Sequence, residues 1–286
     1  MALENFIPEI WSARLLQNLH RAQVFTQAGV VNRDYEGEIR DAGDTVRINA
    51  IAAVTVGTYT KNTNISAPET LTDATLALLI DQSKYFNFQI DDVDRAQQKP
   101  KVMDEAMREA AYALADTADS YIAGLYTGID AGNAIGTTAA PKADLGSAGV
   151  PYNYLVDLGT ILDEDNVPRA GRWAIVPPWF YGLLLKDEKF VASGAPAADA
   201  RLQNGVIGQA AGFTVLVSNN VPHTTGTKYR IMAGHPIAWS YAEQVNKIEA
   251  YRPELRFADA MKGLHVYGAK IVRSTALAVL VANRPA

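Results

Sequence analysis

Two stretches decide the fold: Asp44-Thr-Val-Arg-Ile-Asn-Ala-Ile-Ala-Ala-Val-Thr-Val-Gly-Thr-Tyr-Thr60 and Leu71-Thr-Asp-Ala-Thr-Leu-Ala-Leu-Leu-Ile-Asp-Gln-Ser-Lys-Tyr-Phe-Asn-Phe-Gln-Ile90. In the first, Val46, Ile48, Ala50, Ala52, Val54 and Val56 fall on one face. In the second, Leu76, Leu78, Ile80, Phe86, Phe88 and Ile90 keep the same phase. Alternation with period two is a strand signal, and the polar, turn-rich Lys61–Pro68 between them makes the pair a hairpin. An unbroken first strand would reach ~55 Å at ~3.3 Å per residue. A compact chain of this length has a radius of gyration near ~19 Å, so the hairpin spans about the whole body. Such a hairpin cannot bury both faces at home, and its tip is expected to lie on a second copy of the chain.

The rest of the chain extends the same α+β pattern. Trp11, Leu15, Leu19 and Ala22 suggest a short helix opened by Pro8. After Pro100, the stripe Met103, Met107, Ala110, Leu114, Ala118, Tyr121 and Leu125 predicts a long helix ending near Gly124 or Gly128. Asp104, Glu105, Arg108, Glu109, Asp116 and Asp119 fall off that stripe. Asp130–Pro151, rich in Gly, Ala and Thr, reads as a loop. Helices are expected over Tyr154–Asp163 and Pro178–Lys186, with buried strands at Arg172–Pro177 and Phe213–Ser218. Short strands follow at Tyr229–Ala233 and Ile237–Tyr241. From Val245 the chain becomes β again, through Ile248–Tyr251, Leu255–Ala260 and Gly263–Ala282.

Composition bounds the function. The chain has 286 residues, a formal charge of −5 and no cysteine. Disulfides, thiolate metal sites and cysteine nucleophiles are therefore excluded. The acidic balance and the absence of a Lys/Arg run argue against a protein that grips nucleic acid through phosphates. No run approaches the ~20 apolar residues of a membrane span, and the first residues lack the pattern of a signal peptide, so a soluble protein made in the cytosol is expected.

The search for chemistry returns nothing. His20, His223, His235 and His265 stand far apart, without metal-ligand spacing, and read as polar helix, loop or strand groups. Gly205-Val-Ile-Gly-Gln-Ala-Ala-Gly212 precedes a strand, whereas a dinucleotide cradle must follow one, so its glycines read as turn positions. Asp163-Glu-Asp-Asn166 lacks the glycine and closing glutamate of a calcium loop. Asp91-Asp-Val-Asp94 reads as helix-capping charge. Trp173, Trp179, Phe180 and Tyr181 sit among apolar neighbours and read as core. No catalytic residue, cofactor site or metal site is expected.

The order of parts carries more than any one motif: an amphipathic arm, a long hairpin, a long helix, a mixed region and a return to β. Gly208-Gln-Ala-Ala-Gly-Phe-Thr-Val-Leu-Val-Ser-Asn-Asn-Val-Pro222 and Gly263-Leu-His-Val-Tyr-Gly-Ala-Lys-Ile-Val-Arg-Ser-Thr-Ala-Leu-Ala-Val-Leu-Val-Ala282 resemble segments of phage coat proteins. So does Arg14–Val31, with Gln27-Ala-Gly-Val-Val-Asn-Arg33. Over nearly its whole length the chain resembles the major capsid proteins of tailed bacteriophages, which have the Hong Kong 97-type (Johnson) fold.

That resemblance implies an N-terminal arm at 1–43, an extended loop at 44–90 and a spine helix at 97–127. It assigns 91–150 and 245–286 to a peripheral domain and 151–244 to an axial domain. It implies hexamers and pentamers in an icosahedral shell around double-stranded DNA, with a separate scaffolding protein and a portal as partners, no membrane, and assembly in the host cytoplasm. Val54, Val56, Tyr59, Lys61, Leu76 and Leu78 are the expected subunit-interface residues. An encapsulin, a bacterial compartment shell of the same fold, is the nearest rival reading, and a soluble α/β enzyme the next.

Overall fold

Alternating side chains put β1 (Thr45–Ile51) and β2 (Asp73–Leu79) into an antiparallel ladder with Val46 opposite Leu78 and Ile48 opposite Leu76. The computed structural model describes residues 24–34, 45–51, 56–64, 67, 73–91, 102–147, 149–187, 208–224 and 227–285. Two expectations change here. Val56–Thr60 carry no strand pairing, so the described ladder is seven residues on each side, about 23 Å; Val54 lies outside the described residues. The expected second strand, Leu71–Ile90, also divides at Ile80–Asp81. Its second half, β3 (Gln82–Asp91), belongs to another sheet.

That division has a steric cause. The chain crosses β11 (Ala258–Ile271) at Gly268, where a Cβ would lie 2.3 Å from the Leu79 carbonyl oxygen and 3.0 Å from Ile80 Cα. Only glycine leaves room for backbone to pass this closely. Lys270 Nζ donates to the Ala77 carbonyl at 2.8 Å beside the crossing.

β3 pairs antiparallel with β11, which pairs antiparallel with β10 (Trp239–Tyr251). The sheet packs one face against helix α1 (Val102–Gly124), where Met107, Ala111, Leu114 and Ala115 meet Phe86, Phe88, Ile248 and Met261. Residues 97–101 of the expected helix lie outside the described residues. After Gly124 the chain tightens into a 3₁₀ turn, Leu125–Gly128. Asp119 corrects the expected polar face: it is only 2 % exposed, with Ala118 and Ile122 beside it in the interior.

The second sheet has seven strands in the order β4-β12-β9-β5-β7-β6, with β8 on β9. These are β4 (Ala134–Ile135), β5 (Trp173–Val176), β6 (Gln209–Ala210), β7 (Phe213–Val217), β8 (His223–Thr224), β9 (Lys228–Gly234) and β12 (Leu277–Asn283). Helices α2 (Val150–Glu164) and α3 (Pro178–Leu185) complete its core with Leu155, Leu158, Leu162, Phe180 and Leu184. Prolines stand in the first turn of both helices, where the missing N–H has no partner to lose. Ala211 and Gly212 both have positive φ and form the two-residue turn between β6 and β7.

The expected domain boundaries shift accordingly. Residues 245–286 do not return to α1 as a block, because β12 is an inner strand of the seven-stranded sheet. Leu277–Ala282 is apolar and buried throughout, as a strand covered on both faces must be. The expected loop at 130–151 contributes β4, and the 244/245 boundary falls inside β10. Trp173 of the larger sheet stacks on Trp239 of β10, centroids 5.4 Å apart and planes nearly parallel, so the two sheets share one core.

Candidate subunit interface

The hairpin's turn and the β10–β11 turn each carry bare apolar side chains. Val56 is 93 % exposed, and Tyr59 and Lys61 beside it are also exposed. Leu76 and Leu78 do not join them. Leu78 is fully buried with Ile80, Ala242 and Val266, and Leu76 packs against that cluster. The expected interface set therefore splits: these two leucines seat the hairpin on its own subunit, because β2 runs across β11.

The β10–β11 turn was not expected as a contact surface, since Leu255–Ala260 reads as strand. Here Leu255 is 97 % and Phe257 84 % exposed, with Arg252 held toward Asp259 at 3.4 Å. Pro253 is the signal that could have revealed it: proline cannot donate to a ladder and marks a strand end. Isolated apolar residues on a surface are ordinary, but two pairs at the tips of two turns are a concentrated apolar offering. Each Å² covered by a neighbour is worth about 25 cal/mol.

Buried polar groups also fix residues 24–33, the segment that precedes the hairpin. Asp119 of α1 accepts the backbone N–H groups of Val24 at 2.9 Å and Phe25 at 2.6 Å, and Asn220 Nδ2 at 3.2 Å. Burial, with a smaller push from Asp116, raises its pKa against the lowering effect of those three donors. Trp239 Nε1 donates to the Val30 carbonyl at 2.7 Å, and Asn32 exchanges backbone hydrogen bonds with Trp239 and Tyr241. Glu243 receives Arg33, the Tyr241 hydroxyl at 2.6 Å and His265 Nε2 at 3.1 Å. Burial alone would raise the Glu243 carboxyl. The His265 hydrogen bond, the Arg33 charge and the Tyr241 hydroxyl together hold it down to about 2.

His265 is thus a polar strand group, as expected, and a wholly buried member of a network. Among the described residues no cluster of His, Cys, Asp and Glu is placed to hold a metal ion. No described helix is long and apolar enough to cross a membrane.

A two-sheet body, a protruding hairpin and a long helix under the smaller sheet define a shell-forming coat protein of the Hong Kong 97-type fold. A sequence profile described as phage capsid protein matches residues 77–280. A solved chain from Mycobacterium phage Che8 is 31% identical, with 98% of each chain covered and a TM-score of 0.69. The capsid structure of cyanophage P-SCSP1u matches at 18% identity, covering 91% of this chain and 88% of its own, with a TM-score of 0.72. A virus-like particle from Pyrococcus furiosus shares the fold at 14% identity, covering 95% of this chain and 98% of its own, TM-score 0.57. No curated protein sequence matches.

The chain belongs to the phage capsid protein family. It is a structural major capsid protein of the virion, acting in a multi-subunit shell and not as an enzyme.

Proposed function

We propose that this capsid protein forms the hexamers and pentamers of an icosahedral head around a phage's double-stranded DNA. Assembly takes place in the host cytoplasm with a separate scaffolding protein and a portal. The observation that carries the interface reading is the pairing of Val56 and Tyr59 on one turn with Leu255 and Phe257 on another. The hairpin laps over a neighbour, while the β10–β11 turn meets copies around a symmetry axis, so every subunit gives and receives the same contact. Single contacts can then be weak, because closure of the shell multiplies them. An acidic wall, at −5 per subunit, does not adhere to packed DNA and leaves it free to move. In these terms α1 and the three-stranded sheet form the peripheral unit, and the seven-stranded sheet, with β4 and β12, forms the axial one.

The test is a variant carrying Val56→Asp, Leu255→Ser and Phe257→Ser, expressed with the phage's assembly proteins. The unassembled subunit keeps its circular dichroism, and its unfolding free energy in urea stays within about 0.5 kcal/mol, as expected of exposed positions. Negative-stain microscopy then shows no shells. Normal particles from this variant refute the interface. Copurification of a small enzyme in place of DNA favours the encapsulin reading.

A further inference from the structure

Among the described residues, Arg230 is a buried cation without a counter-ion. It is 6 % exposed, and the described contacts of its guanidinium are all with neutral groups. Nη2 donates to Thr224 Oγ1 at 2.8 Å and to Thr138 Oγ1 at 3.3 Å, and the Tyr126 ring lies under it at 4.7 Å. Nε has no partner among the described residues. A guanidinium cannot shed its charge to escape this setting. An aromatic face and two hydroxyls offset part of the desolvation cost; a carboxylate would offset far more.

The surroundings of Arg230 repeat the imbalance. Antiparallel register sets Lys228, two residues along the same strand face, opposite Thr224 on one side and Asn283 on the other. Lys228 forms no ion pair among the described residues, and the Asn283 Oδ1 atom is buried there without a donor. A half-turn of that amide would present its NH₂ group at the same spot. One face of the seven-stranded sheet therefore gathers two cations, two hydroxyls and an unused amide, with no described acid of this subunit bound to them.

We propose that this face is a receptor for a carboxylate of a second copy of the chain, received at the outer edge of Arg230 with Lys228 alongside. The proposal rests on the shell reading above, which surrounds each subunit with copies. Those copies supply acid in excess, 31 Asp and Glu against 26 Lys and Arg. A carboxylate on a side chain matches the planar fork of a guanidinium. The depth of Arg230, beneath the hydroxyls of Thr138 and Thr224, admits one such side chain more readily than the rigid backbone of a DNA duplex.

The test uses Arg230→Met and Lys228→Met in the full chain, expressed with its assembly proteins. Two quantities are read: the urea midpoint of the unassembled subunit, and the yield and guanidinium midpoint of shells by sedimentation. Arg230→Met is expected to leave the subunit midpoint equal or higher, since an apolar side chain replaces an unpaired charge. Shell yield is expected to fall ten-fold or more. Shells of wild-type yield and stability overturn the proposal, as does a subunit midpoint that falls in step with the shells. If the Arg230→Met subunit does not fold, Lys228→Met decides: weakened shells from an unchanged subunit support the receptor, and unchanged shells overturn it. Loss of DNA-filled particles with empty shells intact points to phosphate as the ligand, and also overturns it. If the wild-type chain itself forms no shells, the shell reading fails, a result distinct from all of these.

Discussion

The two sheets bury their residues by opposite rules. In the seven-stranded sheet Trp173–Val176 and Leu277–Ala282 are closed off on both faces, between helices and loops of the same subunit. In the three-stranded sheet one face packs against α1, and on the other the hairpin's Leu78 and Ile80 cover Ala242 and Val266 while Tyr85 stands exposed and the strands run out into a bare turn. The first region holds the larger core, and the second buries two smaller clusters and leaves its turn bare. A shell subunit needs both: a body that folds alone, and edges whose burial waits for a neighbour.

The most severe challenge to this contrast is Leu280→Ala, at the middle of β12. Truncating a wholly enclosed leucine is expected to cost the unassembled subunit about 2–5 kcal/mol, read as a lowered urea midpoint. A cost under about 1 kcal/mol would contradict the place of Leu280 in the larger core.

A smaller effect is expected from acid. Glu243 titrates at about 2 in the folded subunit against an ordinary 4.5, so its contribution is complete above 4.5 and fades as pH falls toward 2. The loss is on the order of 3 kcal/mol. Glu243→Gln is expected to flatten the dependence of the urea midpoint between about pH 5 and pH 3. Asp119 works in the opposite direction, because burial raises its pKa and folding is favoured as it protonates. Variants at the two positions should therefore tilt the pH profile in opposite senses; equal tilts would disprove the assignment.

The smallest of the three is Gly268→Ala, where the hairpin leaves the body. The added methyl meets backbone, which cannot turn aside, and the expected cost is roughly 1–3 kcal/mol. Hydrogen exchange at Leu79–Gln82 should quicken before the larger sheet is affected. Uniform quickening across both sheets would show that they do not behave as separate regions.

Much of this architecture was legible in the residues, and the misses have physical causes. The stripe of α1 is readable because Met107, Leu114 and Ala118 recur at helical spacing, and they are buried. The bend at Ile80–Asp81 is not, since Leu76, Leu78, Phe86 and Phe88 keep one phase straight through it; the sheet changes and the alternation does not. What permits the bend is Gly268, far along the chain and informative only once the strands cross. Asp119 escapes local reading for the same reason: its partners, the N–H groups of Val24 and Phe25, are invisible to local pattern. β12 could have been read better, for Leu277-Ala-Val-Leu-Val-Ala282 is a continuous apolar run of the kind an inner strand requires. At the proposed interface, Val56, Tyr59 and Lys61 follow from the hairpin's polar tip, whereas Leu255 and Phe257 hide inside an alternating run.

The place of β12 also sets a schedule. It lies between β4 and β9, so β9 has no neighbour on that side until residues 277–283 have been made. Until then β9 keeps an open edge, and the apolar face of α2 lacks the strand it packs on. A chain interrupted between residues 125 and 277 carries the hairpin and the long helix yet lacks an inner strand of the larger sheet. The late position of one strand therefore sets when the body can close: a chain without it lacks an inner strand of the larger sheet.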